Sequence, residues 1–408
     1  MNCRHCGALL GLTLVDLGSA PPSNAYLTAE TLKQPEMSFP LRVLVCERCW
    51  LVQTEDFAHV DELFDAQYAY FSGYSSTWLA HVERYVRDMV RRFGLDATSH
   101  VVEVAANDGS LLQYVHAAGI PGIGIEPTAS TAAAARAKGI PIIEAFFGAE
   151  LGRKLGSLAP ADLIVANNVL AHVPDINDFV AGFAALLQPN GVATFEFPHA
   201  LKLIEENQFD TIYHEHFSYL SLTAVSRIFP VNGLTVFDVE ELPTHGGSLR
   251  VFAQRSDAGR HPRESSVDAL LACETRAGIG TSAFYTGFQA RAERVKNDFL
   301  RFLLDANEHG KSVVAYGAAA KGNTLMNFAG VRPDLVGFVV DANPAKQGKF
   351  LPGSHIPIVA EELLLQDRPD YVVILPWNLR AEIESKIAYI AGWGGQFVTA
   401  VPRLEVRP

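Results

Sequence analysis

The densest group of chemically capable side chains is the run FDTIYHEHFSYLS, residues 209–221, which carries Tyr213, His214, Glu215, His216 and Tyr219. Histidine offers a base near neutral pH, tyrosine a hydroxyl donor, and glutamate a carboxylate that can orient either, so the run suits proton abstraction. It is not a zinc-protease helix, which needs its histidines four apart on one helical face. His214 and His216 are two apart, a spacing that turns both rings the same way on an extended strand. A polar loop with buried aromatics is the plainer alternative. Three more positions extend the set: His172 in NNVLAHVPD, at what reads as the carboxyl edge of a strand where α/β sheets bind ligands; Tyr68 in YAYFSGYSS; and His245 before two glycines in THGGS.

A second group lies upstream. The strand HVVEVAA leads into Glu103, Ala105, Asn107, Asp108 and Gly109, and the next strand, PGIGIE, closes on Glu126, 23 residues after Glu103. An acidic strand end, a tight turn and a helix start let backbone approach a small ligand, while a carboxylate on the second strand accepts from ribose hydroxyls. A dinucleotide site would need G-x-G-x-x-G to seat a pyrophosphate, and EVAANDGS has one glycine. The loop therefore favours S-adenosylmethionine over NAD. Ala105 stands where such turns carry their first glycine, so an altered φ or a tolerated methyl group is expected. Phe147 is a candidate apolar wall for adenine, with core packing as the alternative, and Asn167 ends the fourth strand.

Four of the five cysteines form two C-x2-C pairs, Cys3/Cys6 and Cys46/Cys49, a spacing that aims four thiolates at one tetrahedral zinc ion. Disulfides would require an oxidising compartment, and a redox pair would require a thioredoxin-like strand-to-helix setting that neither pair has. Cys273 in DALLACETRAG reads as a buried small hydrophobe.

These groups must be held by several units, because 408 residues with 49% hydrophobic content exceed one ordinary core. The net charge of −12 and the scattered Lys and Arg argue against nucleic acid and anionic membranes, and no stretch reads as a signal peptide or membrane span. A cytoplasmic protein is expected, with a monomer as the working expectation. We divide the chain into 1–60, a zinc-binding unit; 61–299, an α/β core; and 300–408, a smaller Rossmann-like unit. A helix over about 76–94 precedes the core, whose apolar strands alternate with helices as in a parallel doubly wound sheet. TVFDVEEL and SLRVFAQR read as its antiparallel closing pair, and a long helical segment spans about 265–309. In the last unit VVAYGAAAKGNTLMNF places Lys321 and Asn323 at a helix start suited to a diphosphate, and Trp377 and Asn378 follow the strand DYVVILPW.

At these residues the chain resembles the sugar C-methyltransferases that act on nucleotide-linked 4-keto-6-deoxyhexoses, typified by the carbon-3 methyltransferase of tetronitrose biosynthesis. The resemblance covers essentially the whole chain: both knuckles, Tyr68-x-Tyr70 with Ser72, the N-D-G loop, the run to His172 and Pro174, Tyr213-x-Glu215-His216-Phe217, His245 to Gly247, and Tyr316 to Lys321. It implies a zinc-binding N-terminal domain, a class I methyltransferase core and a C-terminal unit that helps hold the nucleotide sugar. It further implies methylation, at carbon 3, of an enolate formed beside the ketone, with His216 as base, Tyr213 and Tyr68 as donors, Glu215 orienting, and His172 positioning the sugar. His245, Lys321, Asn323, Trp377 and Asn378 would then meet substrate. Two other classes stay open on residues alone: an NAD-dependent oxidoreductase or epimerase of nucleotide sugars, and a non-catalytic zinc-ribbon interaction protein.

Overall fold

The computed structural model describes residues 1–57 and 71–408; Tyr68 and Tyr70 lie outside the described residues. Seventeen strands form three sheets among these residues. The first part of the chain supplies β1 (Leu12–Ala20), β2 (Phe39–Val45) and β3 (Val52–Thr54), an antiparallel meander in which Leu14, Val15, Leu17 and Ala20 of β1 are buried and two register shifts interrupt its alternation. Its fourth strand arrives from far along the chain.

The middle of the chain supplies β4 (Val101–Val104), β5 (Gly122–Ile125), β6 (Ile142–Ile143), β7 (Ala161–Asn167) and β8 (Leu187–Pro198). The two-residue β9 (Ser218–Tyr219) follows, then β10 (Leu234–Leu242) and β11 (Ser248–Arg255). The large sheet has the order β10-β11-β8-β7-β4-β5-β6, with β11 antiparallel to both neighbours and the rest parallel. As expected, a helix follows each of the first four strands, and the fully buried burial pattern of β4 explains its unbroken apolar character apart from Glu103. The expected strand IPIIEA shrinks to the two residues of β6 at the sheet edge. Helix Ser76–Phe93 forms as expected, with Ser75 accepting from the Trp78 N–H at its start and Gly94 closing it at φ 65°.

Strand β9 pairs with β3 rather than with the large sheet, Val52 opposite Tyr219 and Gln53 opposite Ser218. The last sheet comprises β12 (Val313–Tyr316), β13 (Val339–Val340), β14 (Ile358–Val359), β15 (Tyr371–Ile374), β16 (Gln396–Thr399) and β17 (Glu405–Arg407). Its order, β14-β13-β12-β15-β16-β17, is parallel except for β17, the Rossmann-like arrangement expected. One apolar core joins Leu14, Val15 and Val43 of the first sheet to Phe288 and Phe299 of a long helix and to Leu325 and Val373 of the last unit.

Two expectations need correction. The long helical segment is three helices, Ser265–Ala277, Ser282–Tyr285 and Phe288–Glu308, because Gly278 and Gly287 take φ of 95° and 83°, where helix cannot continue. Cys273 is exposed, since Val267, Leu270 and Glu274 form the inward stripe of its helix.

Candidate active site

The four cysteines converge. Their Sγ atoms lie within 4.8 Å of one another, with Cys3–Cys49 and Cys6–Cys46 both at 3.5 Å. Disulfide sulfurs would sit about 2 Å apart, whereas thiolates about 2.3 Å from a tetrahedral zinc are separated by about 3.8 Å. N–H donors face the sulfurs: Gln53 Nε2 reaches Cys3 Sγ at 3.3 Å and the Cys49 amide reaches Cys46 Sγ at 3.5 Å. The donor set and its hydrogen bonds fit a closed structural zinc site.

At the carboxyl ends of β4, β5 and β7 the cofactor candidates come together. Ala105 takes φ 59° and Asn107 φ 50°, so the missing glycine is met by a left-handed alanine. Glycine is favoured at 109 on two counts, with φ 74° and a Cβ position only 2.4 Å from Ile140 Cδ1. Asp108 is spent on its own surroundings: it accepts from Ser110 Oγ at 2.5 Å, Lys138 Nζ at 3.1 Å and the Gly73 amide at 3.2 Å. The Ser72 amide donates to Asn107 Oδ1 at 3.0 Å, so residues 72–73 lie across the turn. Glu126 accepts from the amides of Asn107 and Thr128, both at 2.9 Å, leaving lone pairs of its four for other donors. Glu103 Oε2 and both side-chain polar atoms of Asn167 are buried without partners among the described residues. Burial, then Asp108 and Glu126, hold the Glu103 carboxyl well above the usual carboxylate range. Such orphaned atoms fit a polar ligand with an ammonium and hydroxyls, as S-adenosylmethionine has. Phe147 meets Phe179 and Phe183 edge-on at 5.7 and 5.1 Å and packs into the core, while Phe146 is exposed.

The Tyr-His run is not a strand at its histidines. Residues 214–215 form a turn, closed by the His216 amide on Tyr213 O at 2.9 Å, so the two rings diverge. The expectation that they point the same way is corrected: β9 begins only at Ser218, where pairing with β3 extends the backbone. Both rings are buried, His214 with Nε2 facing Phe39 O at 3.2 Å and His216 turned the other way, toward Thr211. There its Nδ1 meets Thr211 O at 3.0 Å. A carbonyl can only accept, so Nδ1 carries the proton and Nε2 presents the lone pair. The Tyr213 ring lies 3.9 Å from the His216 ring and the His172 ring 4.6 Å away. Burial first, then His172, hold the His216 imidazole well below the ordinary histidine range, and burial brings His172 and His245 down to about 4. Glu215 Oε1 accepts from the amide and Nδ2 of Asn24 at 3.2 and 3.1 Å, and burial raises its carboxyl.

His245 sits at φ 55° in a turn whose next residue, Gly246, has no room for a side chain: a Cβ there would lie 2.4 Å from Trp377 Cη2. Its Nε2 is 3.4 Å from Asn168 Nδ2. Lys321, which sits 4.5 Å over the Trp377 ring, donates to Asn378 Oδ1 at 2.7 Å, so these three expected residues are one cluster, with Trp377 against Asp210 and Gly246. Asn323 differs, since its Nδ2 is bonded to Ser23 O and ties the last unit to the first. Asp210 was missed. It is buried, accepts from Trp377 Nε1 at 2.7 Å and is pushed up to about 6 by burial. It stands in the run singled out from the sequence, but an aspartate after Phe209 carries no signal until Trp377 is placed beside it. Glu196 was missed for a similar reason. Lying at the end of β8, it accepts from His81 and Arg250 at 2.9 Å and Thr244 Oγ1 at 3.1 Å.

The seven-stranded sheet with its reversed penultimate strand, the acid-lined turn and the four-cysteine cluster define a class I S-adenosylmethionine-dependent methyltransferase with a zinc-binding N-terminal domain. Family descriptions match accordingly: "putative zinc binding domain" at residues 3–64, "methyltransferase domain" at 78–239 and "C-methyltransferase C-terminal domain" at 243–402. The chain is 36% identical over 406 residues to the C-methyltransferase NovU of Streptomyces niveus, covering 99% of this chain and 96% of that protein. It belongs to the C-methyltransferase family. Among solved structures, the PH0226 protein of Pyrococcus horikoshii OT3 is 13% identical, covering 49% of this chain and 100% of that one at a TM-score of 0.39. The magnesium protoporphyrin IX methyltransferase of Synechocystis PCC 6803 is 17% identical, covering 44% and 83% at 0.36. No helix among the described residues is long and apolar enough to cross a membrane.

Proposed function

We propose that the enzyme methylates a carbon next to the ketone of a nucleotide-linked 4-keto-deoxysugar, at carbon 3, with His216 as the base. The observation that carries this reading is the fixed tautomer of His216, whose Nδ1–H is held by Thr211 O so that a neutral, lone-pair Nε2 stands beside Tyr213 and His172. A carbon acid flanked by a ketone needs such a base and a donor for the enolate oxygen, and needs no redox cofactor.

His216 Nε2 takes the proton from carbon 3, and the electron pair of the broken C–H bond passes to the ketone oxygen. The Tyr213 hydroxyl supports that oxyanion, with Tyr68 as the further donor the sequence suggests. His172, whose ring is edge-on to His216, restricts where the sugar ring can lie. When bound, S-adenosylmethionine supplies an electrophilic methyl group, the S–CH3 bond breaking as the C3–CH3 bond forms, with a neutral thioether as leaving group. Glu126 would hold the ribose hydroxyls, while Glu103, Asn167 and the Asn107–Gly109 turn would hold the amino acid end. Lys321, Trp377 and Asn378 of the C-terminal unit, with His245 of the core, would meet the sugar and its diphosphate. The divisions 1–60, 61–299 and 300–408 serve as the working domains of this reading.

Incubating the protein with S-adenosylmethionine and TDP-, GDP- and CDP-linked 4-keto sugars should give a product heavier by one methylene for one nucleotide series. Methylation on oxygen or nitrogen, or binding of NAD in place of S-adenosylhomocysteine, would overturn it.

A further inference from the structure

The first cysteine knuckle reaches the segments that carry the two histidines through Arg4. Arg4 lies between Cys3 and Cys6, with a side chain only 5% exposed. Its amide donates to Gln53 Oε1 at 3.0 Å, and Gln53 Nε2 donates in turn to Cys3 Sγ, so Arg4 and Gln53 are fixed against the thiolate cluster. The guanidinium leaves the knuckle. Nη1 donates to Pro174 O at 2.9 Å, two residues after His172. Nη2 donates to Thr54 O at 3.0 Å and to Asp56 Oδ1 at 2.7 Å, and Cζ sits 5.3 Å over the ring of Phe217, the residue after His216. Thr54 completes the clamp, with Oγ1 donating to His216 O at 2.9 Å and its amide to Phe217 O at 3.2 Å. The Phe217 amide donates to Ala171 O at 2.8 Å, joining the two histidine segments to each other.

A planar guanidinium with donors in a fixed fork can hold several acceptors in one geometry, which an ammonium cannot. We propose that Arg4 is a positioning residue for His172 and His216, through which metal binding at the four cysteines sets the geometry of the catalytic base. This inference rests on the reading of His216 as base. Zinc in this enzyme then does more than stabilise a remote domain. It fixes the knuckle backbone, hence the Arg4 fork, hence Pro174 O beyond His172 and, by way of Thr54, the carbonyls of His216 and Phe217. The cofactor turn at Ala105–Gly109 has no place in this chain of contacts and should be indifferent to it.

The test uses the full-length zinc protein and Arg4→Met, which keeps the stem and removes the fork. Expected are unchanged zinc content and S-adenosylhomocysteine affinity within twofold, with kcat lowered at least tenfold and KM within threefold. With 15N-histidine labelling, the Nδ1–H resonance of His216, assigned by its loss in His216→Asn, should be seen in the parent protein. It should broaden or vanish both in Arg4→Met and after zinc is chelated. The double variant with His216→Asn should turn over no more slowly than His216→Asn alone, because Arg4 acts through that ring. If Arg4→Met does not fold, Arg4→Lys and Thr54→Val carry the same comparison. Retention of the Nδ1–H resonance in the fork-less protein, multiplying rate losses in the double variant, or loss of cofactor affinity in step with kcat would overturn the coupling. A fully active His216→Asn would instead overturn the base itself, so the two failures are distinct.

Discussion

At the carboxyl ends of β4 and β7, Glu103 Oε2, both polar atoms of Asn167 and Oδ1 of Asn168 are buried without partners among the described residues. At the matching end of the C-terminal sheet most polar groups are taken up by the last unit and by Tyr26 of the first, although Asn323 Oδ1 is buried without a partner among the described residues. Tyr316 donates to Glu361 at 2.7 Å, and Asp341, after β13 as Glu126 is after β5, accepts from the Ala318 and Asn343 amides at 2.8 Å. Lys346 and Tyr26 both donate to Ala318 O, at 2.7 and 2.6 Å. Leaving a buried polar atom unsatisfied costs about 1–3 kcal/mol, which a bound ligand can relieve. The seven-stranded sheet is therefore shaped for a polar ligand from solution. The C-terminal sheet is shaped as a wall that carries Lys321, Trp377 and Asn378 toward Gly246 and Asp210.

The largest expected effect concerns the histidine between the two walls. His216→Asn should lower turnover roughly 10²–10⁴-fold, the usual worth of a general base, with S-adenosylhomocysteine affinity within twofold by calorimetry. Equal loss of affinity would make His216 part of the cofactor site and blur the distinction. A matched pair of acids probes the sheets themselves. Glu126→Ala should weaken S-adenosylhomocysteine about 10–100-fold, since hydrogen bonds to a charged group contribute about 1.5–3 kcal/mol, while Asp341→Ala should leave that affinity unchanged. Equal weakening by both would mean the cofactor spans the two units.

The pH profile gives a smaller effect with a definite sign. As the proposed base His216 must be a neutral imidazole, and burial depresses its pKa, so the ring stays neutral as pH falls from 8 through 6.5. Turnover should be level over that range and drop only below it; a midpoint at 6.5 would describe a solvated histidine. The smallest effect belongs to the cofactor turn. Ala105→Gly relieves a left-handed alanine at φ 59°, worth about 1–2 kcal/mol before the added freedom of the unfolded chain offsets part of it. Thermal denaturation should show a rise of a few degrees at most, and a fall would mean the methyl group packs usefully.

Much of this was legible because it depends on local pattern. The C-x2-C pairs, the acid after β5, the N-D-G turn and the strand–helix alternation each report a backbone requirement within a few residues. What escaped is long-range. His214 and His216 part company because the strand starts two residues later, at the point where β3 is available to pair, and nothing in YHEHF encodes β3. Asp210 and Glu196 acquire meaning only from Trp377, His81 and Arg250, which the fold delivers from distant segments. Lys321 and Asn323 look alike at a helix start, yet one faces Trp377 and the other is bonded to Ser23.

The central claim is proton removal by His216 from the carbon beside a ketone. It is tested most directly by incubating the enzyme and S-adenosylhomocysteine with a nucleotide-linked 4-keto-deoxysugar in deuterium oxide, where methyl transfer is blocked. Mass spectrometry and proton NMR should show one deuterium at carbon 3 with the parent enzyme and none above background with His216→Asn. Equal exchange by both proteins, or no exchange by an enzyme that still methylates the sugar, would contradict it.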